Sequence, residues 1–336
     1  MKKMLAAVLA VLMVLSLAAC GSSSAPAATA AEAPATEAPA AEAPAKVYKV
    51  GICQLVTHDA LDAATKGFQD ALVDALGADA VEFDLQNAAG DSNTCASIAN
   101  AFVAADVDLI MANATPALQA AAAATGDIPI LGTSVTEYGV ALGISAFNGT
   151  PGGNVSGTSD LAPLDKQAAM LQEWFPDAKN VALLYCSAEP NSKYQVDTVK
   201  ALLEGMGYTC ELFAFVDSND MPNVAQAACD FCDVLYVPTD NQVASSTEVI
   251  DGIFGAARKP IITGEEGICK GCGVATLSIS YYDLGRATGE MAAKILTGEA
   301  DISTMPIGYA DATPKYNADI CAKLGLTAPE GYEAIG

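Results

Sequence analysis

Val47-Tyr48-Lys49-Val50-Gly51-Ile52-Cys53-Gln54-Leu55 leads within a few residues into segment 59–77, and this pair decides the fold. The first stretch is short, apolar and rich in β-formers. The second sets Leu61, Ala64, Phe68, Ala71, Leu72 and Ala75 at helical spacing. Working outward, the alternation continues as strand 81–86, helix 92–105, strand 108–112, helix 116–124 and strand 128–132. Strands alternating with helices of this length predict βαβ units and a parallel sheet.

The same order then returns. Segments 181–186, 209–216, 233–237 and 260–263 read as strands; 193–207, 222–230 and 242–257 read as the helices between them. Lys49 aligns with Asn180, Val107 with Cys232 and Asp127 with Arg258. Internal similarity on this scale predicts two related lobes rather than a solenoid. The fold class expected is α/β, with two doubly wound parallel-sheet lobes. The glycines of Asn148-Gly149-Thr150-Pro151-Gly152-Gly153-Asn154-Val155-Ser156-Gly157 suit a bending crossing between lobes. Beyond the second copy come strand 275–280, amphipathic helix 282–297, strand 305–309 and helix 314–324, read as crossing back to the first lobe and returning to the second. Three crossings make a hinge. The division expected is 46–158 with 280–306 in lobe one, and 159–279 with 307–336 in lobe two.

Parallel α/β sheets bind ligands beyond the carboxyl ends of their strands, where loops enter helix N-termini. In lobe one those loops hold Thr57-His58-Asp59, residues 86–91, Ala114-Thr115-Pro116 and Thr133-Ser134-Val135-Thr136-Glu137. Thr115-Pro116 reads as an N-cap followed by proline at the first helical position. The free N–H groups of such a helix start suit a carboxylate. The equivalent loop of lobe two, Pro238-Thr239-Asp240-Asn241, presents an acid instead. Asp240 is expected either to meet a ligand ammonium or to cap its own helix. Residues 187–192 and Gly264-Glu265-Glu266 are its neighbours, and the lone histidine, His58, is a further cleft candidate. No nucleophile elbow and no glycine-rich phosphate loop accompanies them, so neither an enzyme nor a cofactor is expected.

At its start the chain carries Lys2 and Lys3, an apolar run 4–19, and Leu17-Ala18-Ala19-Cys20. This is a secretory signal pattern over 1–19, too short to span a membrane, and its end looks like a bacterial lipobox with Cys20 as the lipid-bearing residue. Residues 20–45, nearly all Ala, Pro, Ser, Thr and Glu, read as a disordered spacer. The expected location is therefore the outer face of a bacterial cell membrane, held by a lipid anchor. A formal charge of −24 argues against nucleic acid as a partner. Of ten cysteines, nine remain after Cys20, and several sit in apolar strands as small hydrophobes. Cys229-x-x-Cys232 and Cys269-x-x-Cys272 are spaced too widely apart for a zinc ribbon, so no metal site is expected; a disulfide and free buried thiols remain the alternatives.

Several stretches resemble the ABC-importer substrate-binding proteins of the tryptophan/tyrosine-binding type. They are His58-Asp59-Ala60-Leu61-Asp62, Ala114-Thr115-Pro116-Ala117-Leu118-Gln119, Pro151-Gly152-Gly153-Asn154-Val155-Ser156-Gly157-Thr158-Ser159-Asp160, Tyr236-Val237-Pro238-Thr239-Asp240-Asn241 and Ser280-Tyr281-Tyr282-Asp283-Leu284-Gly285. The resemblance implies a periplasmic-binding-protein type I fold, an aromatic amino acid as ligand, and ABC permease and ATPase subunits as partners of a monomer. It implies that Thr115 and Thr133-Ser134 receive the ligand carboxylate, and that Asp240 with Asp160 receives the ammonium. His58, Asn191 and Glu265 are implied to face the cleft. The rival expectations are an aliphatic amino acid, a nucleoside or a sugar in the same fold, or a surface lipoprotein acting in sensing or adhesion.

Overall fold

Residues 46–336 are described, in a computed structural model. The first βα run is β1 (Tyr48–Gln54), α1 (Asp59–Leu76), β2 (Val81–Asn87), α2 (Ser92–Ala104), β3 (Leu109–Asn113), α3 (Thr115–Ala124), β4 (Ile130–Val135), α4 (Tyr138–Leu142) and β5 (Val155–Ser159). The second begins with α5 (Leu164–Trp174), β6 (Asn180–Cys186), α6 (Pro190–Gly205), β7 (Thr209–Phe215) and α7 (Met221–Phe231). It continues through β8 (Val234–Val237), α8 (Asn241–Ala244), α9 (Thr247–Ala257), β9 (Ile261–Thr263), α10 (Glu266–Cys272) and β10 (Ala275–Ser278). Last come α11 (Tyr281–Leu296), β11 (Gly308–Tyr309), β12 (Thr313–Tyr316), α12 (Ala318–Leu324) and β13 (Glu333–Ala334).

Two sheets result. One has the order β11-β5-β4-β3-β1-β2, the other β13-β12-β10-β9-β8-β6-β7. All pairings between strands are parallel except β10 with β12. Side chains along β1 and β3 alternate between two cores. Val50, Ile52, Leu109 and Met111 pack with Phe68 and Leu72 of α1 and Ala292 of α11. Cys53, Ile110 and Ala112 pack with Phe102 of α2 and Leu118 of α3. Strand β6 does the same in the second lobe, with Val181, Leu183 and Tyr185 on one face and Ala182, Leu184 and Cys186 on the other. Burial on both faces explains why these strands read as unbroken apolar runs, and it makes each lobe doubly wound.

The chain crosses between lobes three times, after Ser159, after Ser278 and after Tyr309. Strand β5 runs through the glycine-rich stretch expected to be the first crossing, so Ser159 lies on the first sheet rather than in lobe two. Likewise Gly308 and Tyr309 pair with Thr158 and Ser159 of β5, which moves the third crossing beyond 307. Three further differences have local causes. Helix α6 begins at Pro190, not at residue 193, because Pro fits the first helical turn. The helix expected at 242–257 is broken at Ser245-Ser246 into α8 and α9. Residues 313–316 pair with β10 as a strand, leaving only 318–324 helical. The nine described cysteines are free thiols, and among the described residues no group of three metal-ligating side chains gathers. The signal, Cys20 and spacer readings lie outside the described residues.

Candidate functional site

Strands β3 and β4 lie side by side, with Asn113 opposite Thr133, so their carboxyl-end loops emerge together. The Ala114 N–H donates to the Thr133 carbonyl at 3.0 Å. Ala114 is held at φ 93°, ψ 159°, a region suited to glycine, and Ser134 at φ 54°. Both residues are held by their surroundings in a sparsely populated backbone region. Ala114, not Thr115, is the N-cap of α3; Thr115 and Pro116 form its first turn. The Thr115 hydroxyl is therefore released from capping. It is buried and has no hydrogen-bond partner, and the same holds for the Ser134 hydroxyl. Thr133, one residue away, faces the other side: its Oγ1 meets Thr158 Oγ1 at 3.3 Å, which in turn meets Thr288 Oγ1 at 2.8 Å. Thr133 therefore holds β4 to β5, and its hydroxyl is not free for a ligand.

Asp160 stands in the first crossing, its N–H donating to the Val135 carbonyl beside Ser134. Its Oδ2 accepts from the Tyr281 hydroxyl at 2.8 Å; its Oδ1 is buried with no partner. Burial pushes this carboxyl up, against the pull of Tyr281's donation. Glu265 caps α10, accepting from the Gly267 and Ile268 N–H groups. Burial raises it to about 7, and Asp160's charge adds to the rise.

On the second lobe, Asn191 lies in the first turn of α6. Its Nδ2 donates to the Thr239 carbonyl at 3.1 Å and to Glu189 Oε2 at 3.2 Å. With the amide oriented in this way, its Oδ1 is a buried acceptor with no donor. Asp240 is the main departure from expectation. Its Oδ2 accepts from the Cys186 N–H at 2.7 Å and its Oδ1 from the Val243 N–H at 3.0 Å. Both oxygens thus serve the second lobe, one capping α8 and the other tying it to β6. The capping reading holds for Asp240, and the acid with a free oxygen is Asp160. His58 Nε2 lies 3.2 Å from Asn241 Oδ1 on the opposite lobe, and burial holds the imidazole below its usual range.

Eight buried side-chain polar atoms lack a partner among the described residues, and four belong to Thr115, Ser134, Asp160 and Asn191. A fifth, Asn113 Oδ1, is on the last residue of β3. Buried polar groups are nearly always paired, so this concentration at strand carboxyl ends is the signature of a polar ligand's place. It offers hydroxyl donors beside a helix N-terminus and, near them, a carboxylate. Pro116 lines a crevice of about 210 Å³ between the lobes, with Leu55 and Gly90 on its own side and Cys186, Glu189 and Gln242 opposite.

Glu189, in the 187–192 loop, and Tyr281, in the 280–285 stretch, shape the site through bonds that sequence reasoning did not assign to them. Glu189-Pro190 carried a signal, since proline after an acid marks a helix start facing the cleft. The Tyr281–Asp160 bond carried none, because 121 positions separate its partners. Tyr138 is core: its hydroxyl donates to the Thr158 carbonyl at 3.0 Å.

Comparison with known proteins fits this geometry. A curated tyrosine-binding protein of Clostridioides difficile is 38% identical over 270 residues, covering 80% of this chain and 78% of the relative. The ABC domain from Streptococcus pneumonia, solved in complex with L-Trp, superimposes with a TM-score of 0.81 at 33% identity, covering 86% of this chain and 100% of the other. A ligand-free, open substrate binding protein with adhesive properties from Clostridium difficile is 40% identical over 86% of this chain and 99% of its own, yet its TM-score is 0.65. A model of the family described as ABC transporter substrate binding protein matches residues 49–333. Its members are solute binders rather than enzymes, and from fold, cleft and match together the chain belongs to the ABC transporter substrate-binding proteins.

Proposed function

We propose that this chain is the lipid-anchored, extracytoplasmic binding protein of an ABC importer and that its cleft captures an aromatic amino acid, tryptophan, tyrosine or phenylalanine. Thr115, the adjoining first turn of α3 at Pro116, and Ser134 receive the ligand carboxylate. Asp160, with Glu265 beside it, receives the ammonium. Asn191 offers its Oδ1 to a ligand N–H or O–H. The observation that carries this reading is the set of four buried, partnerless polar atoms at the strand ends. Hydroxyl donors for an anion stand near an acid for a cation, which is the pattern of a zwitterion. The relatives that bind tyrosine and L-Trp support the aromatic class. Cys20 would tether the body, and a permease with its ATPase would receive the ligand. A surface role in sensing or adhesion is favoured by the relative described with adhesive properties; ligand capture is common to both readings.

Thermal melting against the twenty amino acids tests the proposal. A ligand bound only by the folded state raises Tm by mass action, with about 2.7 kcal/mol of stabilisation at a hundredfold excess over Kd. Tryptophan or tyrosine is expected to give the largest rise. A response to none of the twenty would overturn the amino-acid reading.

A further inference from the structure

Asn241 and Gln242 open α8 at the carboxyl end of β8, and a single buried acid grips both. Glu189 Oε2 accepts from the Asn241 N–H at 3.1 Å and from Asn241 Nδ2 at 2.6 Å; its Oε1 accepts from the Gln242 N–H at 3.1 Å. With Nδ2 committed to Glu189, Asn241 must turn Oδ1 outward, and there it meets His58 Nε2 of the first lobe at 3.2 Å. An amide oxygen only accepts, so His58 carries its proton on Nε2 in this contact. Next to it, Gln242 Nε2 donates to the Gly90 carbonyl of the first lobe at 3.4 Å. Gly90 has φ +83°, a left-handed conformation that favours glycine, and a Cβ there would lie 2.5 Å from Gln242 Nε2, so the Gln242 side chain would have to move.

These contacts join lobe to lobe and involve none of the four partnerless atoms. We propose that Asn241 and Gln242, held by Glu189, form a latch that fastens the closed cleft through His58 and Gly90. They are positioning residues, setting affinity through the closed population rather than by touching the ligand. The idea rests on ligand binding between the lobes. A state stabilised in this way binds more tightly in proportion to its population, whichever ligand fills it.

Stopped-flow binding of L-tryptophan and L-tyrosine to the full chain tests this, using Asn241→Ala, Gln242→Ala, His58→Ala and His58→Gln. A hydrogen bond of ordinary net strength predicts that each alanine variant weakens affinity by about 2- to 12-fold. The loss should lie in the dissociation rate and be equal for both amino acids. His58→Gln, which keeps a donor at the Nε2 position, should recover most of the loss. Wild-type dissociation rates in all variants would overturn the latch. So would losses that differ between the two ligands, which would make these residues ligand contacts. If the wild type bound neither amino acid, the functional reading would be what failed. The latch would then be judged by X-ray scattering of the unliganded chain, where Asn241→Ala must enlarge the radius of gyration and an equal radius overturns it.

Discussion

Asp160 shares its buried setting with Glu265, and farther along the cleft Glu189 is raised to about 8 by burial and by the charge of Asp240. A carboxyl whose folded value lies above its unfolded value stabilises the fold while protonated. That contribution is complete below about pH 4.5 and is lost as pH rises through the folded values near 7 and 8. An arriving ammonium reverses the preference at Asp160, because it favours the ionised carboxyl. Ligand binding should therefore release protons and strengthen over the window in which the empty protein loses stability. The ligand-induced rise in Tm is predicted to grow as pH rises through the Glu265 value near 7; a rise independent of pH would remove the charge of these acids from the interaction. At this scale the sequence showed which loops reach the cleft but not which atoms stay free. Thr133 and Ser134 are neighbours, yet one hydroxyl is used by Thr158 and the other by nothing. Asp240 and Asp160 are both loop acids, and only the distant Cys186 N–H and Tyr281 hydroxyl tell them apart.

Among the elements, α1 and α11 pack backbone against backbone. A Cβ on Gly285 would lie 2.0 Å from the Ala64 carbonyl oxygen, and one on Gly67 would lie 2.1 Å from that of Tyr282. Both obstacles are backbone and cannot rotate away. Gly285→Ala is accordingly expected to cost about 1–3 kcal/mol by forcing the helices apart, read as a lower midpoint in urea unfolding. A midpoint at or above the wild-type value would contradict this packing. Helix α11 was plain in the sequence because its apolar period is regular and Ser280 caps it. Strand β5 was not, because Val155-Ser156-Gly157-Thr158-Ser159 lacks an apolar run. Its hydroxyls are satisfied one by one instead, Ser156 by the Met305 carbonyl and Ser159 by that of Thr136. Glycine at 157 is required there: φ is 141° and a Cβ would fall 2.0 Å from the Gly132 carbonyl oxygen.

At the scale of the whole molecule, the doubled βα order in the sequence already contained the two lobes, since each repeat carries its own two-faced core. The crossings were legible in number but not in place, because β5 and β11 are short strands whose pairing is settled by their neighbours. Asp160 and Tyr281 join the first crossing to the helix that follows the second, so the proposed ammonium site and the hinge share one hydrogen bond. Calorimetric titration with L-tryptophan of the wild type, Asp160→Asn and Asp240→Asn tests the zwitterion clamp most directly. Removing one partner of a buried charge pair costs about 2–5 kcal/mol, so Asp160→Asn should weaken binding by about 30-fold or more. Asp240→Asn, acting on α8 and β6 and reaching affinity only through the latch that α8 carries, should destabilise the fold and weaken binding by no more than the latch variants, about 12-fold. Wild-type affinity in Asp160→Asn, with binding lost in Asp240→Asn, would contradict the account.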